Sequence, residues 1–186
     1  AILTKKEPLS VSLLGVDEFD DEGRVLAADF GDFILASAYF PNSQDAGARI
    51  EYKIRYCDAM LAWGDKLRKK GRHVVIAGDF NIAHKPIDLA HPEANEGNPG
   101  YLPEERAWMD KYLAGGYADS LRHFDASSGL YTWWTYRAAG ARERNVGWRI
   151  DYHCVDEAFL PACVGAGIMP EVMGSDHCPV TLDLEI

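Results

Sequence analysis

Apolar residues in this chain come mostly in short bursts, and some of the bursts are separated by stretches with three-and-four spacing. Val11 to Leu14, Arg24 to Asp29 and Phe33 to Phe40 read as consecutive antiparallel strands, parted by the turn-forming runs Asp20-Asp21-Glu22-Gly23 and Gly31-Asp32. From Ala46 to Lys70 the pattern turns helical: Ile50, Ile54, Cys57, Met60 and Leu61 share a face, with charges on the other, and Gly71 ends the element. His73 to Ala77 is the next apolar burst, which predicts a central strand delivering Gly78-Asp79-Phe80-Asn81 at its C-terminal end. The loop from Ala83 to Tyr101 is rich in Pro, Asn and Gly, and its length marks it as functional or disordered. Pro103-Glu104-Glu105 opens a second helix that Gly115-Gly116 closes. Strands are expected again at Arg149 to Val155, near Ala162 to Ile168, and at Pro179 to Ile186. The layout predicts an α/β fold of two packed, mostly antiparallel sheets with helices outside.

Composition narrows this picture only in places. The 186 residues suit one domain, residues 1–186, with no repeat or linker inside it. No apolar run reaches the length of a membrane span, so no membrane partner is expected. Cys57, Cys154, Cys163 and Cys178 lack CxxC spacing and disulfide-scaffold density, which favours reduced thiols in an intracellular, cytoplasmic protein. A net charge of −10 argues against a polyanionic partner, but its distribution is uneven. Between Arg122 and Arg149, five arginines face only Asp125 and Glu143, interleaved with Trp133, Trp134, Tyr136 and Trp148. By composition alone this is a solvated loop with core tryptophans; it also matches a local nucleic-acid surface.

Candidate chemistry sits at strand ends. Ser175-Asp176-His177, followed by Cys178-Pro179, pairs with Gly78-Asp79-Phe80-Asn81 a hundred residues earlier. Acids, an amide and an imidazole are what metal-assisted phosphoester hydrolysis requires: one carboxylate to hold a cation, another to orient water, the imidazole to face developing charge. Taken singly, Asp79 reads as a turn cap and His177 as a structural histidine. Their joint occurrence after buried strands outweighs both readings.

Tyr39-Phe40-Pro41-Asn42, Gly78-Asp79-Phe80-Asn81, Asn145 through Tyr152 and Ser175-Asp176-His177 occur in the order found in the exonuclease III-like class II AP endonucleases. The chain resembles that branch of the endonuclease/exonuclease/phosphatase superfamily along essentially its whole length. The resemblance implies a four-layer, deoxyribonuclease I-like α/β sandwich and a monomer acting on double-stranded DNA with abasic sites. It implies Mg²⁺- or Mn²⁺-dependent cleavage 5′ to the lesion, with associated 3′→5′ exonuclease or 3′-phosphodiesterase activity, and a nucleoid association in a bacterium. By position, Asp79 resembles the residue that orients or deprotonates the attacking water, with Asn81 beside it. His177 would contact a phosphate oxygen, backed by Asp151, while Tyr39 and Asn42 would contact phosphate. Asp176 resembles a metal-ligand carboxylate. Trp133, Trp148 and Ile150 would line a pocket for a base-less sugar flipped from the duplex. Asn95 and Asn98 would approach the DNA backbone, as would Arg137, Arg142 and Arg144. His91 stands where the family has an asparagine.

The family's leading strands carry an Asn in a WNVNG-like run and a metal-binding Glu in a QE run, and neither run occurs here. The expectation is the C-terminal portion of such a domain, lacking its N-terminal strands. Two rivals stay open: another superfamily phosphodiesterase or phosphatase, and an inactive DNA-binding fragment without the metal-binding Glu.

Overall fold

The computed structural model describes all residues from Ala1 to Ile186. The large sheet is built from β1 (Ser10–Ser12), β2 (Val25–Asp29), β3 (Phe33–Tyr39), β4 (His73–Asp79), β5 (Tyr117–Asp119) and β6 (Asp151–Asp156), in the order β1-β2-β3-β4-β6-β5. Every neighbouring pair is antiparallel except β3 with β4. That parallel pair needs a crossover, and α2 (Ile50–Arg68) supplies it. A second sheet holds only β7 (Cys163–Ile168) and β8 (Val180–Leu184), antiparallel with a bulge near Gly165.

The two faces of the large sheet bury different cores. On one, Ile34, Ala36 and Ala38 of β3, Val74 and Ile76 of β4, and Tyr152 and Cys154 of β6 pack against α2 and α3 (Pro103–Ala114). The helices contribute Tyr56, Cys57, Met60, Trp108, Met109 and Tyr112. Each fully buried aliphatic or aromatic side chain here stabilises the fold by about 1.5–3 kcal/mol. On the other face, Val75 and Val155 meet Phe159 and Cys163, with Phe33, Leu35, Leu182 and Leu184 packed around them. This is the expected α/β arrangement of a large and a small sheet with helices outside. All four cysteines are buried and free. No helix is long and apolar enough to cross a membrane.

Three departures from the sequence reading have local causes. Asp17–Asp20 forms α1, a single helical turn, because the Asp20 carboxylate accepts the N–H groups of Leu14, Gly15 and Val16. Tyr117–Asp119 (β5) and Ser120–Phe124 (α4) are too short to show periodicity; the Asp119 side chain caps α4 by accepting from the Arg122 N–H. On α2 the charged and apolar faces are not cleanly separated: Lys53 is wholly buried beside Tyr56, Cys57, Met60 and Gly64. Its ammonium is paired with Glu105 of α3, and that pairing makes burial possible.

Strand register positions the site. Tyr39 is opposite Asp79, and Asp79 is opposite Asp151, so three polar residues lie in one row across β3, β4 and β6. Residues paired in one row project from the same face. Gly78, just before Asp79, has φ 147°, and a Cβ there would stand 1.9 Å from the Ala38 carbonyl oxygen. Only glycine lets β4 approach β3 this closely where the row begins.

Candidate active site

Beyond the end of β4 the chain turns sharply, and Asn81 adopts φ 51°. Its conformation is held from several sides. The Asn81 N–H donates to Asp79 Oδ1 (2.7 Å), its Nδ2 donates to Asp79 Oδ2 (3.0 Å) and to the Phe40 carbonyl (3.0 Å), and its Oδ1 accepts from Asn42 Nδ2 (3.0 Å). Asp79, Asn81 and Asn42 are thus one hydrogen-bonded unit joining the exits of β3 and β4. Asn tolerates the left-handed conformation better than most residues, which suits this turn.

His177 reaches the same place from the far end of the sequence. Its Nδ1 is 2.9 Å from Asp151 Oδ2, which leaves Nε2 for the cleft. Burial alone would lower the imidazole's pKa, but the hydrogen bond and charge of Asp151, with further help from Asp79 and Asp176, raise it above the ordinary value. The Asp79 pKa is raised as well, which for a carboxylate disfavours the charged form: burial, then the charge of Asp151, push it up to about 7, against the Asn81 N–H, His177 and Lys53. Thr132, wholly buried, fixes the backbone beneath Asp151 by accepting from the N–H groups of Ile150 (3.1 Å) and Asp151 (3.2 Å).

These side chains line an open cleft of about 320 Å³ together with Tyr39, Asn98, Pro99, Gly100, Trp133, Trp148 and Ile150. One wall is polar and acidic, the other aromatic. The Trp133 and Trp148 rings meet edge to face with centroids 6.3 Å apart, and Tyr101 supports Trp148 in the same manner at 6.4 Å. Gly100, at φ 89°, lets the loop pass against Trp148.

Of the residues proposed from the sequence, Tyr39, Asn42, Asp79, Asn81, Asn98, Trp133, Trp148, Ile150 and His177 come together in the cleft, with Asp151 directly behind His177. Asn95 does not line it; it accepts from Asn98 Nδ2 and donates to the His91 carbonyl, shaping the loop. Arg142 and Arg144 lie outside as well. Arg142 spends its guanidinium on the carbonyls of Pro170, Val172 and Ser175 and stacks over Trp134, while Arg144 donates to Ala139. Both arginines hold loops in place in this structure. Pro99, Gly100 and Thr132 are additions that no motif announced.

Asp176 also differs from expectation. It faces a neighbouring cavity rather than the cleft, and its Oδ2 accepts from Trp133 Nε1 (3.0 Å). A hard divalent cation takes about six oxygen ligands. The facing carboxylates of Asp79 and Asp151 are electrostatically receptive to one, yet no group of three or more His, Cys, Asp or Glu side chains gathers around a single point. The donor set on residues 1–186 does not fit a complete metal site.

A carboxylate–amide pair, a carboxylate-backed imidazole and an aromatic wall thus share one cleft. The endonuclease/exonuclease/phosphatase family model matches residues 1–177. The chain belongs to that family. Among the family's relatives, the exodeoxyribonuclease of Bacillus subtilis (strain 168) is 43% identical over 188 residues, covering 100% of this chain and 74% of its own length. The DNA repair nuclease APEX1 of Danio rerio is 42% identical over 190 residues, covering 100% of this chain, which spans 60% of that protein. In three dimensions the fold is similar to an AP endonuclease from Archaeoglobus fulgidus, with a TM-score of 0.85 and 27% identity over 97% of this chain and 72% of that one. Members of the family typically depend on a divalent metal.

Proposed function

We propose that this chain carries the reacting face of a DNA-repair hydrolase that cleaves the backbone 5′ to abasic sites, leaving a 3′-hydroxyl. The observation that carries the reading is the shared cleft of Asp79–Asn81, His177–Asp151 and the Trp133–Trp148–Ile150 wall. Asp79, with a pKa near 7, is matched to accept a proton from an attacking water at neutral pH. Asn81 holds that carboxylate, and Asn42, bonded to Asn81, has a second amide hydrogen to offer to phosphate. Asp151 raises the pKa of His177, which favours the charged imidazole that would face a non-bridging oxygen as negative charge builds there. The largely apolar wall accepts a sugar without a base, whose extrusion costs less unstacking than that of a normal nucleotide. Trimming of 3′ ends uses the same groups, with the scissile phosphate at a terminus.

Mg²⁺ or Mn²⁺ is the proposed cofactor, and double-stranded DNA the partner, in a monomer of the cell interior. Since relatives extend beyond the matched region, residues 1–186 are proposed as the C-terminal portion of a single domain, with the remaining metal donors outside them. The incomplete donor set favours a second reading for the chain by itself: a DNA-binding piece that does not turn over alone. A nicking assay on duplex with one abasic site, run with Mg²⁺ and with EDTA, separates the two. Metal-dependent incision 5′ to the lesion supports the first. Binding without incision by the 186-residue chain, with incision by a longer form, supports the second. A protein that ignores abasic DNA but hydrolyses phosphorylated lipids or inositols overturns both.

A further inference from the structure

Lys53 is a buried cation beneath the cleft for which the proposed chemistry has no use. Its side chain is 0% exposed, as is that of Glu105. The ammonium donates to the Asn81 carbonyl (2.6 Å) and to Glu105 Oε1 (2.7 Å). That same Oε1 accepts from Ser43 Oγ (2.6 Å), and Glu105 Oε2 accepts from the Leu102 N–H (2.9 Å). Ser43 follows Asn42, whose amide is itself bonded to Asn81. Both loops that leave β3 and β4 toward the cleft are therefore tied to one charge pair lodged between α2 and α3.

Stability alone does not call for such a pair. Buried ion pairs give up so much hydration that apolar residues of similar volume commonly serve as well or better. What the pair supplies is direction: an ammonium aimed at the carbonyl of a residue held at φ 51°. We propose that Lys53, anchored by Glu105, is a positioning residue that holds Asn81, and with it Asp79, in the reactive arrangement. The assignment rests on the functional reading above for its kinetic consequence, and on geometry for its structural one.

The test compares wild type, Lys53→Met and the double variant Lys53→Met/Glu105→Met in the full protein, by thermal melting, steady-state cleavage of abasic duplex and amide NMR. Lys53→Met leaves Glu105 buried without its partner, so it loses stability under any hypothesis. The double variant removes both buried charges and leaves only neutral groups, the Ser43 hydroxyl, the Leu102 N–H and the Asn81 carbonyl, without these partners, so it regains much of the stability that Lys53→Met loses. A positioning role predicts that the double variant melts above Lys53→Met while kcat stays down by about tenfold or more, with KM within about threefold of wild type. The Asn81 side-chain amide and the Ile82 N–H shift, while the Asn145 amide, which bonds Gly129, does not. A double variant with kcat within about twofold of wild type and an unmoved Asn81 overturns the proposal. If wild type cleaves no abasic DNA, the functional reading fails, and the Asn81 and Ile82 signals decide the positioning role.

Discussion

Asp79 and Asp151 are directly opposite each other across the antiparallel β4–β6 ladder, on the one row where the sheet meets the cleft. Two like charges so placed oppose each other's ionisation. His177 Nδ1 lies 2.9 Å from Asp151, while burial and then the Asp151 charge push the Asp79 pKa up to about 7. One geometric relationship thus places a proton acceptor near neutrality beside an imidazole whose pKa is raised.

The first prediction concerns stability. A carboxylate whose folded pKa lies above its unfolded value of 3.8 binds its proton more tightly when folded. Its contribution is favourable at low pH and declines as pH rises from about 4 through about 7. Asp79→Asn removes the ionised group, so at pH 8 the variant is expected to be more stable than wild type by about 1–2 kcal/mol, allowing for partial exposure. Near pH 4.5 the difference shrinks toward zero. Urea unfolding at both values checks it, and a variant equally or less stable at pH 8 contradicts the assignment. The same change should cut turnover by about a thousandfold while DNA binding moves little.

Asp151→Asn tests the other member of the row. Losing the carboxylate removes the main influences that raise the His177 pKa and leaves the burial that lowers it. The imidazole then loses its proton at lower pH, and the alkaline limb of the rate profile moves to lower pH. At pH 7.5 we expect a loss of about 10²-fold or more, partly regained on acidification. An unchanged alkaline limb would show that His177 does not act as a cation.

Much of this site was legible in the sequence, and what was not has a common cause. The strand-end motifs around Asp79 and His177 were readable because strand, turn and polar residue are contiguous there. Gly71, at φ 75°, ends α2 as a glycine in that position should. Long-range pairing left no such trace. Nothing near Lys53 in the sequence signals its burial, because its partner Glu105 is 52 residues away. Arg142 looked like a phosphate contact because its acceptors are backbone carbonyls 28 to 33 residues downstream, invisible as residue types. Thr132, a hydroxyl serving two N–H groups on a neighbouring segment, carried no pattern at all.

Gly78→Ala probes the approach of β4 to β3. The added methyl would stand 1.9 Å from the Ala38 carbonyl oxygen, a backbone atom that cannot rotate aside, at a φ of 147° that side chains rarely adopt. Either the strands separate, shifting Asp79 out of its row, or the chain fails to fold. The expected cost is about 3 kcal/mol or more, measured by chemical denaturation. Gly23→Ala serves as control: nothing lies within 4 Å of its added methyl, and its φ of 65° imposes only local strain. Equal losses at the two positions would mean that backbone conformation, not the close strand approach, decides.

Trp133 and Asp176 offer a test of coupling between the aromatic wall and the histidine segment. Trp133 Nε1 donates to Asp176 Oδ2 at 3.0 Å, and the Trp134 N–H donates to the Asp176 carbonyl at 2.9 Å, so side chain and backbone register the two segments together. Trp133 is also bridged to Trp148 on one side and His177 on the other. Trp133→Phe keeps an aromatic ring in the wall and removes only the indole donor. Asp176→Ala removes the acceptor. A hydrogen bond to a charged acceptor, partly open to solvent, contributes about 1–1.5 kcal/mol, so a double-mutant cycle on unfolding free energy should show coupling of about 1 kcal/mol. Both single variants should also weaken discrimination between abasic and intact duplex, since each frees the wall that shapes the pocket. The double variant should weaken it no further than the worse single, because one bond can be broken only once. Coupling indistinguishable from zero, with additive losses in discrimination, would mean that Trp133 and Asp176 act independently.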